Sequence, residues 1–168
     1  MNTERPELTT HIYKKEKEPS SQYIVALEGP VCAGKTTVLQ KLRESGSVVV
    51  EEYSEYVASA ARDFPKFPPK DEEAAKDGFK FFFDLEIQRK KDLEAQPSPS
   101  AVLDRSIYTL LAFEVGASRL TGINILPWAI EYLDEHQDDI INPEKIVYFD
   151  TPAEISRARA EEGKIRIA

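Results

Sequence analysis

The sequence predicts an α/β domain of three layers, a parallel β-sheet held between helices. Three observations carry that expectation. Short apolar, often β-branched runs recur at Tyr23–Leu27, Ser47–Val50, Ala101–Leu103 and Lys145–Phe149. Segments of helical spacing separate each from the next, the alternation that builds a parallel sheet through crossover helices. Three of the four runs also end in carboxylates, at the strand ends where such sheets gather their ligands: Glu51 and Glu52, Asp104, and Asp150.

Residues 1–21 are polar and charged, lack the apolar core of a signal peptide and read as a flexible tail, so the domain is expected over residues 22–168. YIVAL then forms a strand buried on both faces. KTTVLQKLRES follows as a helix with Val38, Leu39 and Leu42 on one side, stopping at Gly46. After the second strand, EEYSEYVASAARDF reads as a helix and PKFPPK as a break. Asp71 caps a long helix through Gln96, partly apolar on one face at Phe79, Phe82, Phe83 and Leu85–Ile87, and PSPS closes it. Core packing is the expected role of those aromatics. The third strand leads into a helix at RSIYTLLAFEVGASRL, and a fifth helix is expected over Leu126–Ile141, ended by Asn-Pro. The fourth strand precedes a last helix, Pro152–Glu162. Asp150 reads as a helix-opening or solvated acid.

Composition narrows the partners. With 22 basic and 30 acidic residues the net charge is -8, and no Lys/Arg stripe with interleaved aromatics occurs, which argues against nucleic acid. No apolar stretch approaches membrane-spanning length, and the single cysteine, Cys32, allows no internal disulfide; no membrane partner and a cytoplasmic location are expected.

The chemistry is concentrated in LEGPVCAGKTT. Gly29, Gly34, Lys35 and Thr36 fit G-x-x-x-x-G-K-[ST], with a strand before and a helix after, as the motif requires. Gly29, Pro30, Val31, Cys32, Ala33, Gly34, Lys35, Thr36 and Thr37 would wrap a polyphosphate with inward N–H groups, backed by a helix N-terminus. The expected ligands are ATP and Mg²⁺. Lys35 would meet the β- and γ-phosphates, Thr36 would ligate Mg²⁺, and Asp104 would hold the metal through water. Cys32 reads as a small filler residue in this loop. Arg105 can clamp an anion or acceptor hydroxyl, and Glu51 and Glu52 are both candidates to accept a proton.

These pieces resemble the nucleoside and nucleotide kinase group of the P-loop NTPase fold, which includes thymidylate kinases and deoxynucleoside kinases. The resemblance spans about residues 22–162. It rests on LEGPVCAGKTT, VVVEEYSEY, LDRSIYTLLAF and YFDTPAEISRARA, similar to the phosphate loop, the Glu-Pro strand end, the Glu-Arg-Ser or Asp-Arg-Tyr motif and the strand leading to an arginine-bearing lid. It implies Glu51 as base at the acceptor hydroxyl, Tyr56 as a flanking aromatic, Arg105 at the acceptor's 5′ end, and Arg157 and Arg159 at the transferring phosphate. The implied acceptor is a nucleoside or nucleoside monophosphate. Glu52 stands where deoxynucleoside kinases carry proline, and Gln88 falls later than their base-reading glutamine. The resemblance also implies a fifth strand and a fuller lid, so a C-terminally incomplete domain is expected, with an open edge beside the fourth strand that favours a homodimer.

Overall fold

The computed structural model describes residues 22–59 and 63–163. The flexible tail expected at 1–21, the end of the expected second helix at 60–62 and the last five residues lie outside that range. A four-stranded parallel sheet forms from β1 (Tyr23–Glu28), β2 (Val48–Val50), β3 (Ser100–Asp104) and β4 (Lys145–Tyr148), in the order β2-β3-β1-β4. Leu27 lies opposite Asp104 and Glu28 opposite Tyr148, so the carboxyl ends of β1, β3 and β4 meet on one edge. From β3 the chain crosses to the other side of β1, which puts the ligand-binding crevice of the topology directly beyond β1.

The helices follow the sequence reading with instructive differences. They are α1 (Lys35–Glu44), α2 (Tyr53–Ser59), α3 (Glu72–Glu94), α4 (Ile107–Thr121), α5 (Leu126–Glu135) and α6 (Ala153–Glu162). Asp71 caps α3 as expected, its side chain accepting from Ala74 N at 2.8 Å. The helix expected over Leu126–Ile141 ends at Glu135, and the acidic stretch after it tightens into a 3₁₀ turn at Gln137–Asp139. α2 begins only at Tyr53, which leaves Glu51 and Glu52 on the turn between strand and helix.

Ala26, Val50, Leu93, Ala101 and Leu103 pack the sheet's interior, while Tyr53, Val57, Phe79, Phe83, Ile107 and Leu110 pack α2, α3 and α4 together. Burial on both faces holds for the inner part of β1 and for most of β3. It does not extend to β4, an edge strand whose Ile146, Val147 and Tyr148 are exposed.

One buried side chain joins these layers at the crevice. Arg89 on α3 is 0% exposed. Its Nε donates to Glu51 O at 2.9 Å, and its Nη2 to Asp104 O at 3.0 Å and Arg105 O at 2.8 Å, so it ties the ends of β2 and β3 to α3. Nη1 donates to Glu86 Oε2 at 2.6 Å, and that oxygen also accepts from Tyr53 Oη at 2.8 Å. Glu86 Oε1 accepts from Ile141 N at 3.2 Å. Removing one partner of such a pair strands the other charge without water, whereas removing both leaves only a packing problem. Arg89→Leu should therefore cost about 3–5 kcal/mol in urea unfolding. Arg89→Leu combined with Glu86→Leu should recover a large part of that loss.

Candidate active site

The loop between β1 and α1 is shaped by two glycines. Gly29 has φ 135°, and a Cβ there would lie 2.8 Å from Phe149 O, so the loop can pass beneath the end of β4 only without a side chain. Gly34, φ 103°, turns the chain into α1. That helix has no side-chain N-cap and no acid in its first turn, which leaves its leading N–H groups and positive dipole end open to an anion. Cys32 also lies at positive φ, 58°, within the loop. Val31 through Thr37 line a cavity of about 780 Å³ together with Glu52, Asp104, Arg105, Phe149 and Arg159.

Lys35 is buried at the cavity floor, where Nζ donates to Gly29 O at 3.2 Å and Pro30 O at 3.0 Å. Burial lowers its pKa, and neighbouring Arg105 lowers it further, against the pull of Asp104, Glu52 and Glu28. Asp104 is its carboxylate counterpart. Burial first, and Glu52 second, push the Asp104 carboxyl up to about 6, and its Oδ1 is buried with no hydrogen-bond partner. Arg105 adopts φ 63°, a backbone state unusual for a side chain of its size. Four bonds hold it there: its N donates to Leu27 O at 3.0 Å, its O accepts from Arg89, its Nε donates to Glu52 Oε1 at 2.6 Å and its Nη1 to Gly29 O at 3.1 Å.

Among the residues expected at the site, the structure brings Val31–Thr37, Asp104, Arg105 and Arg159 around one cavity. Gly29 and Pro30 take part through the carbonyls that receive Lys35. Arg159 Nη1 donates to Cys32 O at 3.1 Å, drawing α6 toward the loop. Glu51 is not part of this cavity. Its side chain points to Arg43 on α1, and it is Glu52, one residue on, that faces the loop and pairs with Arg105. The cause is the late start of α2, which gives Glu51 and Glu52 opposite directions on an extended turn. Arg157 likewise lies outside the cavity, on the exposed side of α6. Tyr56 is half-buried against the helical core, and Gln88 donates to Asp92 on the exposed side of α3. Asp150 is solvated, and α6 starts after Pro152 without a side-chain cap.

Two contributors were given no role from the sequence. Glu28, at the end of β1, accepts from Ser106 N at 2.8 Å and Ser106 Oγ at 2.6 Å, and Thr109 Oγ1 also donates to it. It thereby joins the phosphate loop to the start of α4. Arg89 is the second. Its signal was a charge falling on the apolar face of α3, three residues after Glu86 on the same face.

The residues present fit a divalent cation. Among the described residues no cluster of three or more His, Cys, Asp or Glu forms, and Mg²⁺ asks for none: it takes one or two protein oxygens and completes its shell with water and phosphate. The unpartnered Asp104 Oδ1 and Thr36 both line the cavity and would supply such oxygens.

The AAA domain family model matches residues 24–119, more than half of the chain. The chain belongs to the AAA domain family. Its fold is also that of a solved deoxyadenosine kinase from M. mycoides. The structure of that enzyme with dATP aligns at a TM-score of 0.60 and 14% identity, covering 85% of this chain and 72% of that one. Its structure with the products dCMP and a flexible dCDP aligns at 0.57 and 15% identity, covering 85% and 71%. Among the described residues no helix is long and apolar enough to cross a membrane.

The raised pKa of Asp104 makes a signed prediction. The folded protein holds this proton up to about pH 6, whereas an unfolded aspartate releases it near 3.8, so stability falls as pH rises between those values and stays lower above them. Asp104→Asn should therefore stabilise the nucleotide-free protein at pH 8, by about 1–3 kcal/mol, and hardly at all near pH 2, where both states are protonated. The same substitution should weaken the magnesium dependence of nucleotide binding, measured by titration with and without the metal.

Proposed function

We propose that this chain transfers the γ-phosphoryl group of ATP to a nucleoside or nucleoside monophosphate. One observation carries the reading: a phosphate-wrapping loop and a carboxylate–guanidinium pair, Glu52 with Arg105, face each other across a single cavity. Phosphoryl transfer needs positioning and neutralisation of charge more than covalent chemistry, and the cavity is built from groups that do both.

In this mechanism the N–H groups of the loop and of the first turn of α1 wrap the phosphates. Lys35 exchanges its contacts with the Gly29 and Pro30 carbonyls for the β- and γ-phosphate oxygens. Asp104 and the Thr36 hydroxyl would hold Mg²⁺, whose chemistry is to neutralise charge on the phosphate oxygens. Arg105, fixed by its four bonds, orients the 5′ end of the acceptor. Glu52 accepts the acceptor hydroxyl's proton as its oxygen bonds to the γ-phosphorus, and the bond from that phosphorus to the bridging oxygen breaks to release ADP. Arg159, free to leave the Cys32 carbonyl, meets the charge that gathers on the transferring group. Arg157 has no part in it.

The placement of the two glutamates separates this scheme from the one drawn on motif resemblance. Glu52→Gln should lower kcat about 10²–10⁴-fold with ATP affinity little changed, measured as ADP release over a panel of nucleosides and nucleoside monophosphates. Glu51→Gln should stay within a few-fold of the native chain. ATP hydrolysis at an undiminished rate with no acceptor present would instead indicate a nucleotide-driven switch.

A further inference from the structure

A second cavity, about 70 Å³, opens between α3, α4 and the segment that precedes α3. Most of its lining is apolar, with Pro65 and Phe67 from that segment, Phe79 and Phe82 from α3, and Phe113 from α4; Lys66 brings a charged side chain to the same lining. Phe67 and Phe113 meet edge to face at 5.6 Å between ring centres. Ala74, Gly78 and Ala117 keep the floor low; Gly78 sits mid-helix, where it costs about 1 kcal/mol of helix propensity relative to alanine.

A carboxylate joins this lining from the buried stripe of α4. Ile107, Leu110, Glu114 and Ala117 form that stripe, and Glu114 occupies the place of an apolar residue. It is 9% exposed and, among the described residues, has neither a hydrogen bond nor an ion pair. Burial alone pushes its carboxyl up to about 7. An unpartnered buried acid is costly to a fold, and largely apolar walls with a few polar groups, here Glu114 and Lys66, are the anatomy of a ligand pocket.

Resting on the phosphoryl-transfer reading above, we propose that Glu114 reads the acceptor's base and selects one bearing an exocyclic amino group beside a ring nitrogen. Glu114 lies seven residues along α4 from Ile107, roughly 10 Å of helix from the Arg105–Ser106 turn, a span in keeping with a nucleoside whose 5′ end is at Arg105. The small cavity admits the edge of a planar ring rather than a whole nucleoside, and the phenylalanine rings supply its apolar walls. The choice of base follows from the acid's two protonation states. As a neutral acid it donates to the ring nitrogen and accepts from the amino group; if the proton moves to the ring nitrogen, both hydrogen bonds survive with the charges reversed. A keto base beside a ring N–H matches only the neutral acid, because the ionised form sets a carboxylate oxygen against the carbonyl oxygen.

Cytidine and uridine, or their 2′-deoxy forms, differ only at this edge. The native chain should favour the amino base by at least about tenfold, in calorimetric binding and in kcat/KM for ADP release alike. Glu114→Gln can pair with either edge, so it should keep the amino base and admit the keto base, collapsing the ratio to within about threefold. Glu114→Leu should lose the amino base without loss of folding stability, since it removes a partnerless buried acid. A native chain that phosphorylates both bases equally, or a preference that survives in both variants, would overturn the role of Glu114 while leaving phosphoryl transfer standing. Bound ATP with transfer to no nucleoside or nucleotide would overturn both.

Discussion

Arg89 is completely buried, yet most of its hydrogen bonds do not go to a counter-ion. Three run to main-chain carbonyls, one at Glu51 and two at Asp104 and Arg105. Every acidic group of the cavity wall follows or carries one of those carbonyls: Glu52 is the next residue after Glu51, and Asp104 carries its own. A buried ion pair is weak evidence of stabilisation, since apolar substitutes often serve as well. A guanidinium fork is better suited to position, because its planar donors fix the directions of the groups they meet. Glu86 neutralises it, Tyr53 and Ile141 N satisfy Glu86, and the Tyr53 ring lies 4.3 Å from the guanidinium carbon. α3 thus sets the spacing of β2 and β3 at the one edge where spacing matters to chemistry.

The phosphate loop is held from the other side by Glu28. Its carboxylate satisfies the start of α4 through Ser106, so the loop that follows β1 and the turn that follows β3 share a partner. Between these two ties sits Arg105 in a left-handed backbone state. Such a conformation costs about 1–3 kcal/mol and survives only where the surroundings over-determine it. The contacts to Leu27, Arg89, Glu52 and Gly29 do so, and the result is a guanidinium aimed at a chosen point. The electrostatics are balanced in the same small volume. Lys35 and Arg105 stand against Asp104, Glu52 and Glu28, and burial keeps the opposing charges strongly felt.

Much of this was legible in the sequence because the signals were local. A strand, a spaced pair of glycines, a lysine and a helix follow one another over residues 23–44, and each obeys its own short-range rule. The alternation of apolar runs and helical spacing was equally plain, and the four strands and their parallel arrangement followed. Where a side chain is aimed differently from the sequence expectation, its direction depends on a local boundary. α2 starts at Tyr53, two residues later than expected, which leaves Glu51 and Glu52 with opposite aims on an extended turn, and boundaries are what propensity fixes least well. Arg157 and Arg159 differ in the same way, by the turn of a helix. Arg89, Glu28 and Glu114 form a third group, whose meaning lies in partners, or the want of them, far along the chain. Each is a charged residue on an otherwise buried strand end or helix face, a local inconsistency that marks a functional or positioning role more often than a packing one.

The central claim is that one cavity holds the phosphates and the acceptor together, with Glu52 between them. A crystal structure with a non-hydrolysable ATP analogue, Mg²⁺ and a nucleoside tests it most directly. The account predicts phosphates wrapped by residues 29–37, the metal on Thr36 and Asp104, and the acceptor hydroxyl within hydrogen-bonding reach of Glu52 and Arg105. A nucleotide seated away from the loop, or an acceptor hydroxyl approached by Glu51 with Glu52 still paired to Arg105 and remote from it, would contradict the account.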